Sequence, residues 1–196
     1  ATIVADLFDM YVQAYPKYGS EKKGLPTTYF LTVSPKRVKT HNELEFVEFV
    51  PLNDVNAFNL ANPLKGLMPG GMLFVQSSKT DSKEIWHDFP KWAKKIIQEK
   101  NIKILALDTV KIAKEVSSKV DLIQRMQGIV LLGIFLKATP FLKTSGITEK
   151  ELMVSVEKSL RKYFGKRGEQ VVQDNLNAVK RGFNEVFEVT QERKEN

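Results

Sequence analysis

The chain of 196 residues has no cysteine. This excludes disulfides, a thiolate nucleophile and any iron–sulfur cluster held by the chain's own thiolates. Histidine is almost as scarce. His41 and His87 stand far apart, neither with a partner at ligand spacing, so no metal site is expected. Long apolar runs are also missing. The longest, "GIVLLGIFL" at 128–136, falls well short of the roughly 20 residues that a membrane span needs. No basic segment leading into a long apolar core marks a signal peptide, so a cytoplasmic chain without a membrane span is expected.

Catalytic and nucleotide fingerprints are absent as well. In the loop "QAYPKYGSEKKGLP", Gly24 is followed by Leu25 and Pro26 and then a strand, where a phosphate-binding loop needs Lys, Ser or Thr and a helix. Gly66, Gly70 and Gly71 come before a strand, the wrong side of the turn for a dinucleotide fold, and "PGG" reads as a tight turn. No Gly-x-Ser-x-Gly elbow exists, and two histidines give little material for a triad. No catalytic residue is assigned.

What is present is ordinary globular material, 42% hydrophobic and 27% charged. Thirty basic residues against 23 acidic give a formal net charge of +7. The two signs are interleaved along the chain without a basic stripe or a reading motif, so nucleic acid is not an expected partner.

"ATIVADLFDM" (1–10) has helical spacing at Ile3, Val4, Leu7 and Phe8 but no cap before it, which suggests a helix entered part-way and an element upstream. "MYVQAY" (10–15, ending at Pro16), "TTYFLTV" (27–33), "EFVEFV" (45–50), "MLFVQS" (72–77) and "IKILAL" (102–107) read as strands. "PKWAKKIIQEK" (90–100) and "TVKIAKEVSS" (109–118) read as helices between and after them. The last third reads as helices over 121–138, 148–165 and 169–189. Thr148 and Glu151 stand in capping-box spacing, and Gly128 and Gly133 are placed for close helix approach. The pattern predicts one α/β domain over 1–196, a three-layer αβα arrangement with a mixed, largely parallel sheet and a helical C-terminal third.

Three groups could carry chemistry. Asp108 ends a strand, where α/β folds place ligand contacts, and it is equally placed to cap the helix from Thr109. Trp86, His87 and Trp92 could stack a ring or belong to ordinary core and surface. Gln124, Arg125 and Gln127 lead the apolar helix 121–138, facing either a cleft, a partner or solvent.

Several stretches together resemble the gamma subunit or domain of 2-oxoacid:ferredoxin oxidoreductases, the pyruvate oxidoreductase group. They are "YVQAYPKYGSEKKGLPTTYF" (11–30), "LMPGGMLFVQSS" (67–78), "IKILALDTVKIAKE" (102–115), "LIQRMQGIVLLGIFLK" (122–137) and "LRKYFGKRGEQVVQDNLNAVKRGFNEV" (160–186). The family's opening strand and Gly-Gly-Gln-Gly loop have no counterpart here. Where many relatives have Arg and a second Gly after the loop's Glu, this chain has Lys22, Lys23, Gly24 and Leu25, which would turn a bidentate contact into a point charge.

The resemblance implies a complex that oxidatively decarboxylates a 2-oxoacid such as pyruvate with coenzyme A and passes electrons to ferredoxin or flavodoxin, as in anaerobic metabolism. Thiamine diphosphate, Mg²⁺ and iron–sulfur clusters would lie on alpha, beta and delta-type partner subunits or domains, and no cofactor on this chain. Tyr18, Gly19, Glu21, Lys22, Lys23 and Gly24 would form a loop at the shared interface near the active site, with Asp108, Gln124 and Arg125 as possible ligand contacts. The isolated chain would be inactive. The alternative is a stand-alone nucleotide- or coenzyme-A-binding α/β module, with Lys17, Lys22 and Lys23 meeting phosphates.

Overall fold

Alternating apolar residues bounded by turn formers give the strands, and 3.6-residue periodicity gives the helices, in a computed structural model that describes residues 1–17 and 27–192. In chain order the first elements are α1 (Thr2–Phe8), β1 (Tyr11–Lys17), β2 (Thr28–Ser34), β3 (Val47–Leu52), α2 (Ala57–Leu60) and β4 (Leu67–Gln76). There follow α3 (Ser82–Asp88), α4 (Lys91–Glu99), β5 (Lys103–Leu107) and α5 (Thr109–Val116). After a 3-10 turn at Val120–Leu122 come α6 (Ile123–Ala138), α7 (Phe141–Ser145) and α8 (Glu149–Phe164). A second 3-10 turn, Gly165–Arg167, leads into α9 (Glu169–Glu185) and a short last strand, β6 (Phe187–Glu188). The α/β class, the mixed sheet and the helical C-terminal part are as the sequence pattern predicts.

Contacts divide the chain into two units, each discontinuous in sequence: Ala1–Glu43 with Ile112–Asn184, and Leu44–Lys111 with Glu185–Asn196. The second unit holds a four-stranded sheet in the order β3-β4-β5-β6. β3, β4 and β5 are parallel, and β6 pairs antiparallel to β5 through Leu105↔Glu188 and Ala106↔Phe187. Leu73, Phe74 and Val75 of β4 are all buried, as a central parallel strand requires. Helices α3 and α4 bring Ile85, Trp86, Ala93 and Ile97 onto Leu73, Val75, Ile104 and Ala106. Each fully buried Leu, Ile or Val among them contributes roughly 1.5–3 kcal/mol. Asp81 caps α3 by accepting from the Lys83 and Glu84 amides, an N-cap whose helix the strand-and-helix pattern does not reveal.

"PGG" is no turn. It lies inside β4, where the pairing jumps from Val47↔Leu67 to Phe49↔Met72, so β4 carries a bulge against β3. Gly70 takes φ +74° there, and its amide donates to the Lys100 carbonyl at 2.7 Å.

The first unit is mainly helical. Its core joins Ile3 of α1, Leu136 of α6, Leu152, Val156 and Leu160 of α8, and Val172, Leu176, Val179 and Phe183 of α9. Thr148 and Glu151 form the expected capping box: the Glu151 amide donates to Thr148 Oγ1 at 3.2 Å and the Thr148 amide to Glu151 Oε2 at 2.7 Å. α6 and α9 cross backbone to backbone. A Cβ on Gly133 would land on the Val179 carbonyl oxygen, and one on Gly182 on the Val130 carbonyl oxygen. Gly133 thus permits the close approach. Gly128 does not, because its missing Cβ points into open space. This unit also carries the antiparallel ribbon β1–β2, which runs through Pro16, set opposite Tyr29, to Lys17. Proline is tolerated in such an edge position.

Candidate functional site

Because β3, β4 and β5 run parallel, their carboxyl ends share one edge, the usual place for ligand contacts in an α/β sheet. Three polar residues at that edge, Gln76, Asp108 and Thr109, are bonded to one another. Gln76 Oε1, at the end of β4, accepts from the Thr109 amide at 2.7 Å and from Thr109 Oγ1 at 2.6 Å. Gln76 Nε2 donates to Asp108 Oδ1 at 2.9 Å, and the same oxygen accepts from the Lys111 amide at 3.0 Å. Asp108 therefore caps α5, and Gln76 fastens the end of β4 to the junction of β5 and α5. Two of the amides that would greet a phosphate at this helix start, those of Thr109 and Lys111, already have carbonyl and carboxylate partners, and the carboxylate repels an anion.

Nearby, Lys79 Nζ bonds both oxygens of Asp88 at 2.7 and 2.6 Å, and Asp88 borders a small hollow with Val55, Ser77 and Phe89. Of the aromatic cluster, Trp86 is buried with Phe89 against it and Lys94 Nζ 5.4 Å from its ring centre. Trp92 stays partly exposed and meets Phe58 edge-on at 5.7 Å. No open ring face pair for stacking a base results.

Gln124 and Arg125 are exposed on the first turn of α6, in the first unit, whereas Asp108 belongs to the second. Tyr18, Gly19, Glu21, Lys22, Lys23 and Gly24 lie outside the described residues. Lys17, at their border, pairs with Glu43 at 2.7 Å. His41 Nδ1 is 2.6 Å from Gln13 Nε2, and His87 is exposed at the end of α3. Among the described residues no three His, Asp or Glu side chains converge as metal ligands. With no cysteine in the chain, its own residues do not fit the iron–sulfur groups implied by the resemblance. Among the described residues, no helix is long and apolar enough to cross a membrane.

Two features escape the sequence pattern. Gln76 is one, a polar residue closing an apolar strand, with its partner 32 positions on. The other is Asp174, only 4% exposed within the apolar face of α9. Its Oδ2 accepts from the Ser118 amide at 2.9 Å and from Ser118 Oγ at 2.5 Å, and its Oδ1 from Gln170 Nε2 at 2.8 Å. Burial alone would push this carboxyl up, but the bonds from Ser118 and Gln170 outweigh it and hold it below its ordinary value. Charge is also segregated. The first unit has nineteen Lys and Arg against eleven Asp and Glu, and the second eleven against twelve. The whole basic excess thus belongs to the first unit.

The fold and this edge define an α/β, mixed-sheet protein in which Gln76, Asp108 and Thr109 brace the ends of the central strands. The family model "Pyruvate ferredoxin/flavodoxin oxidoreductase" matches residues 1–185, and the chain belongs to that family. It is 26% identical over 190 residues to a pyruvate:ferredoxin oxidoreductase of Moorella thermoacetica, covering 95% of this chain and 15% of that protein. It is 26% identical over 139 residues to the pyruvate/ketoisovalerate oxidoreductases common subunit gamma of Thermococcus litoralis, 71% of this chain and 68% of that one. The fold is also that of the pyruvate oxidoreductase subunit PORC of Thermotoga maritima, with a TM-score of 0.63 at 23% identity, covering 95% of this chain and 87% of that one. The chain spans only 14–15% of the length of the first curated relatives it matches. The resemblance read from the sequence is borne out at the level of the family.

Proposed function

We propose that the chain is the gamma-type component of a thiamine-diphosphate-dependent 2-oxoacid:ferredoxin oxidoreductase, contributing scaffold and interface to an active site built mainly by other subunits or domains. The observation that carries this is the family match over residues 1–185, joined to the coverage of 68% of a separate gamma subunit. The occupied start of α5 supports it against a stand-alone phosphate-binding module. The complex would convert a 2-oxoacid such as pyruvate and coenzyme A to acyl-CoA and carbon dioxide, handing two electrons to ferredoxin or flavodoxin. Alpha, beta and delta-type partners would hold the thiamine diphosphate, Mg²⁺ and iron–sulfur clusters. On this side of the interface the loop of Tyr18, Gly19, Glu21, Lys22, Lys23 and Gly24 would face the active site.

The test is 2-oxoacid- and coenzyme-A-dependent reduction of a viologen dye. The isolated chain should give no turnover, and the complex purified through a tag on this chain should give it. Glu21→Ala and Lys23→Ala should lower activity or assembly of the complex while the chain keeps its wild-type circular dichroism. Turnover by the isolated chain would overturn the assignment. Salt-sensitive binding of adenine nucleotide to the isolated chain would favour the stand-alone module instead. A wild-type complex from both variants would remove the loop from the interface.

A further inference from the structure

The connection between α5 and α6 is built as a fixed projection. Ser118 is tied down through its amide and its hydroxyl to the buried Asp174, whose second oxygen is held by Gln170 on the same helix. Ser117 Oγ donates to the Lys119 carbonyl at 2.7 Å, and the Leu122 amide donates to that same carbonyl at 3.1 Å. On top of this anchored turn sits Val120, 85% exposed, beyond any other large apolar residue described. Single exposed apolar residues are ordinary on protein surfaces. A β-branched one held at a tip by a buried, fully bonded carboxylate is not, since a solvated loop needs no such anchor. A pre-ordered apolar tip loses little entropy on docking, which suits it to seat in an interface.

The surroundings state what it would meet. Lys119 precedes the tip and Arg125 follows one turn into α6, both exposed, with Asp121 the one acid between them. The turn Gly165–Arg167, carrying Lys166 and Arg167, feeds the same end of α9 that holds Ser118. All of these belong to the unit that carries the basic excess.

We infer that the Ser117–Asp121 turn is a docking knob: Val120 enters an apolar depression on a partner polypeptide, and Lys119 and Arg125 meet carboxylates on its rim. For the identity of that partner the inference rests on the gamma-type assignment. The relatives that carry this segment as 14–15% of a much longer polypeptide supply the candidate, the remainder of the oxidoreductase.

The test compares wild-type, Val120→Asp and Lys119→Glu/Arg125→Glu chains, each tagged and expressed in the source cell. The readouts are partner stoichiometry on denaturing gels, viologen-dye activity per tagged chain, and the melting temperature of each isolated chain. Val120→Asp should retain about tenfold less partner, because it sets an unpaired carboxylate in the apolar depression. The double charge reversal should release partner at lower salt. Both isolated chains should melt as the wild type does, because all three side chains are exposed. Partner recovered in full by both variants would overturn the knob. If the wild type retains partners that lack 2-oxoacid activity, the gamma-type assignment falls, while loss of those partners in Val120→Asp still supports the knob. Self-association of the wild-type chain that Val120→Asp abolishes would overturn it in favour of a second copy as occupant. A wild-type chain that retains no partner overturns both.

Discussion

Replacing Gly133 by Ala tests the α6–α9 crossing directly. The new methyl would coincide with the Val179 carbonyl oxygen, so the helices must part by about 1 Å to restore van der Waals distance. The side chains around the crossing, Val130, Ile134, Val179 and Phe183, are all at most 1% exposed, and each loses contact as the gap opens. Overpacking of this kind costs about 1–3 kcal/mol, and more when backbone must move. Against it stands the helix-propensity gain of about 1 kcal/mol for Gly→Ala. Because backbone must move here, the cost lies at the upper end, about 3 kcal/mol, and the net is a loss of about 2 kcal/mol, a fall in melting temperature of about 4–8 °C for a chain this size. Gly128→Ala is the internal control. It sits in the same helix with open space where its methyl would go, so only the propensity term acts and stability should rise by about 0.5–1 kcal/mol. Thermal and urea melts followed by circular dichroism read both. Gly133→Ala and Gly182→Ala should also fall short of additivity when combined, because helices already parted by one methyl admit the other. A Gly133→Ala chain melting at or above wild type, or a shift of the same sign in both helix-6 variants, would refute the crossing.

Asp174→Asn should cost about 1–3 kcal/mol at neutral pH, because an amide cannot accept from both Ser118 and Gln170 as the carboxylate does. Since the folded carboxyl is held below its ordinary value, the wild-type advantage is fully present above about pH 4 and is lost as acid protonates it below that. Urea melts of both chains from pH 7 to pH 3 should converge at the acid end, and a constant gap would contradict the assignment. Gln76→Glu sets a second carboxylate where an amide now donates to Asp108, so it should destabilise by about 1–2 kcal/mol at pH 7. That deficit should shrink as pH falls and protons return a donor to the pair. An equal deficit at pH 7 and pH 4 would show that the contact is not made.

The α/β class is legible from β-branched runs alternating with amphipathic stretches, and the Thr148–Glu151 box is legible from spacing alone, because a cap involves four consecutive residues. Features that depend on contacts distant in sequence are not. "PGG" has the composition of a turn, and only its neighbour β3 makes it a bulge. Gly128 and Gly133 look alike in sequence, and the position of α9 separates them. At the candidate site, capping by Asp108 is legible from its place before Thr109, but Gln76 as its partner is not, because the pairing exists only once β4 and β5 lie side by side. Asp174 reads as a solvated charge on a helix until Ser118 is brought against it.

The last strand sets an order of events on the ribosome. β6 closes the outer edge of β5, with the Val189 amide donating to the Ile104 carbonyl at 2.9 Å and Val189 itself buried. It is made about eighty residues after β5 and lies past the end of the family match at residue 185. At about 5–20 residues per second, the edge of β5 waits roughly 4–16 s for its neighbour. During synthesis the second unit is therefore an open-edged sheet exposed to wrong pairing, and it is completed only after the whole helical unit has emerged.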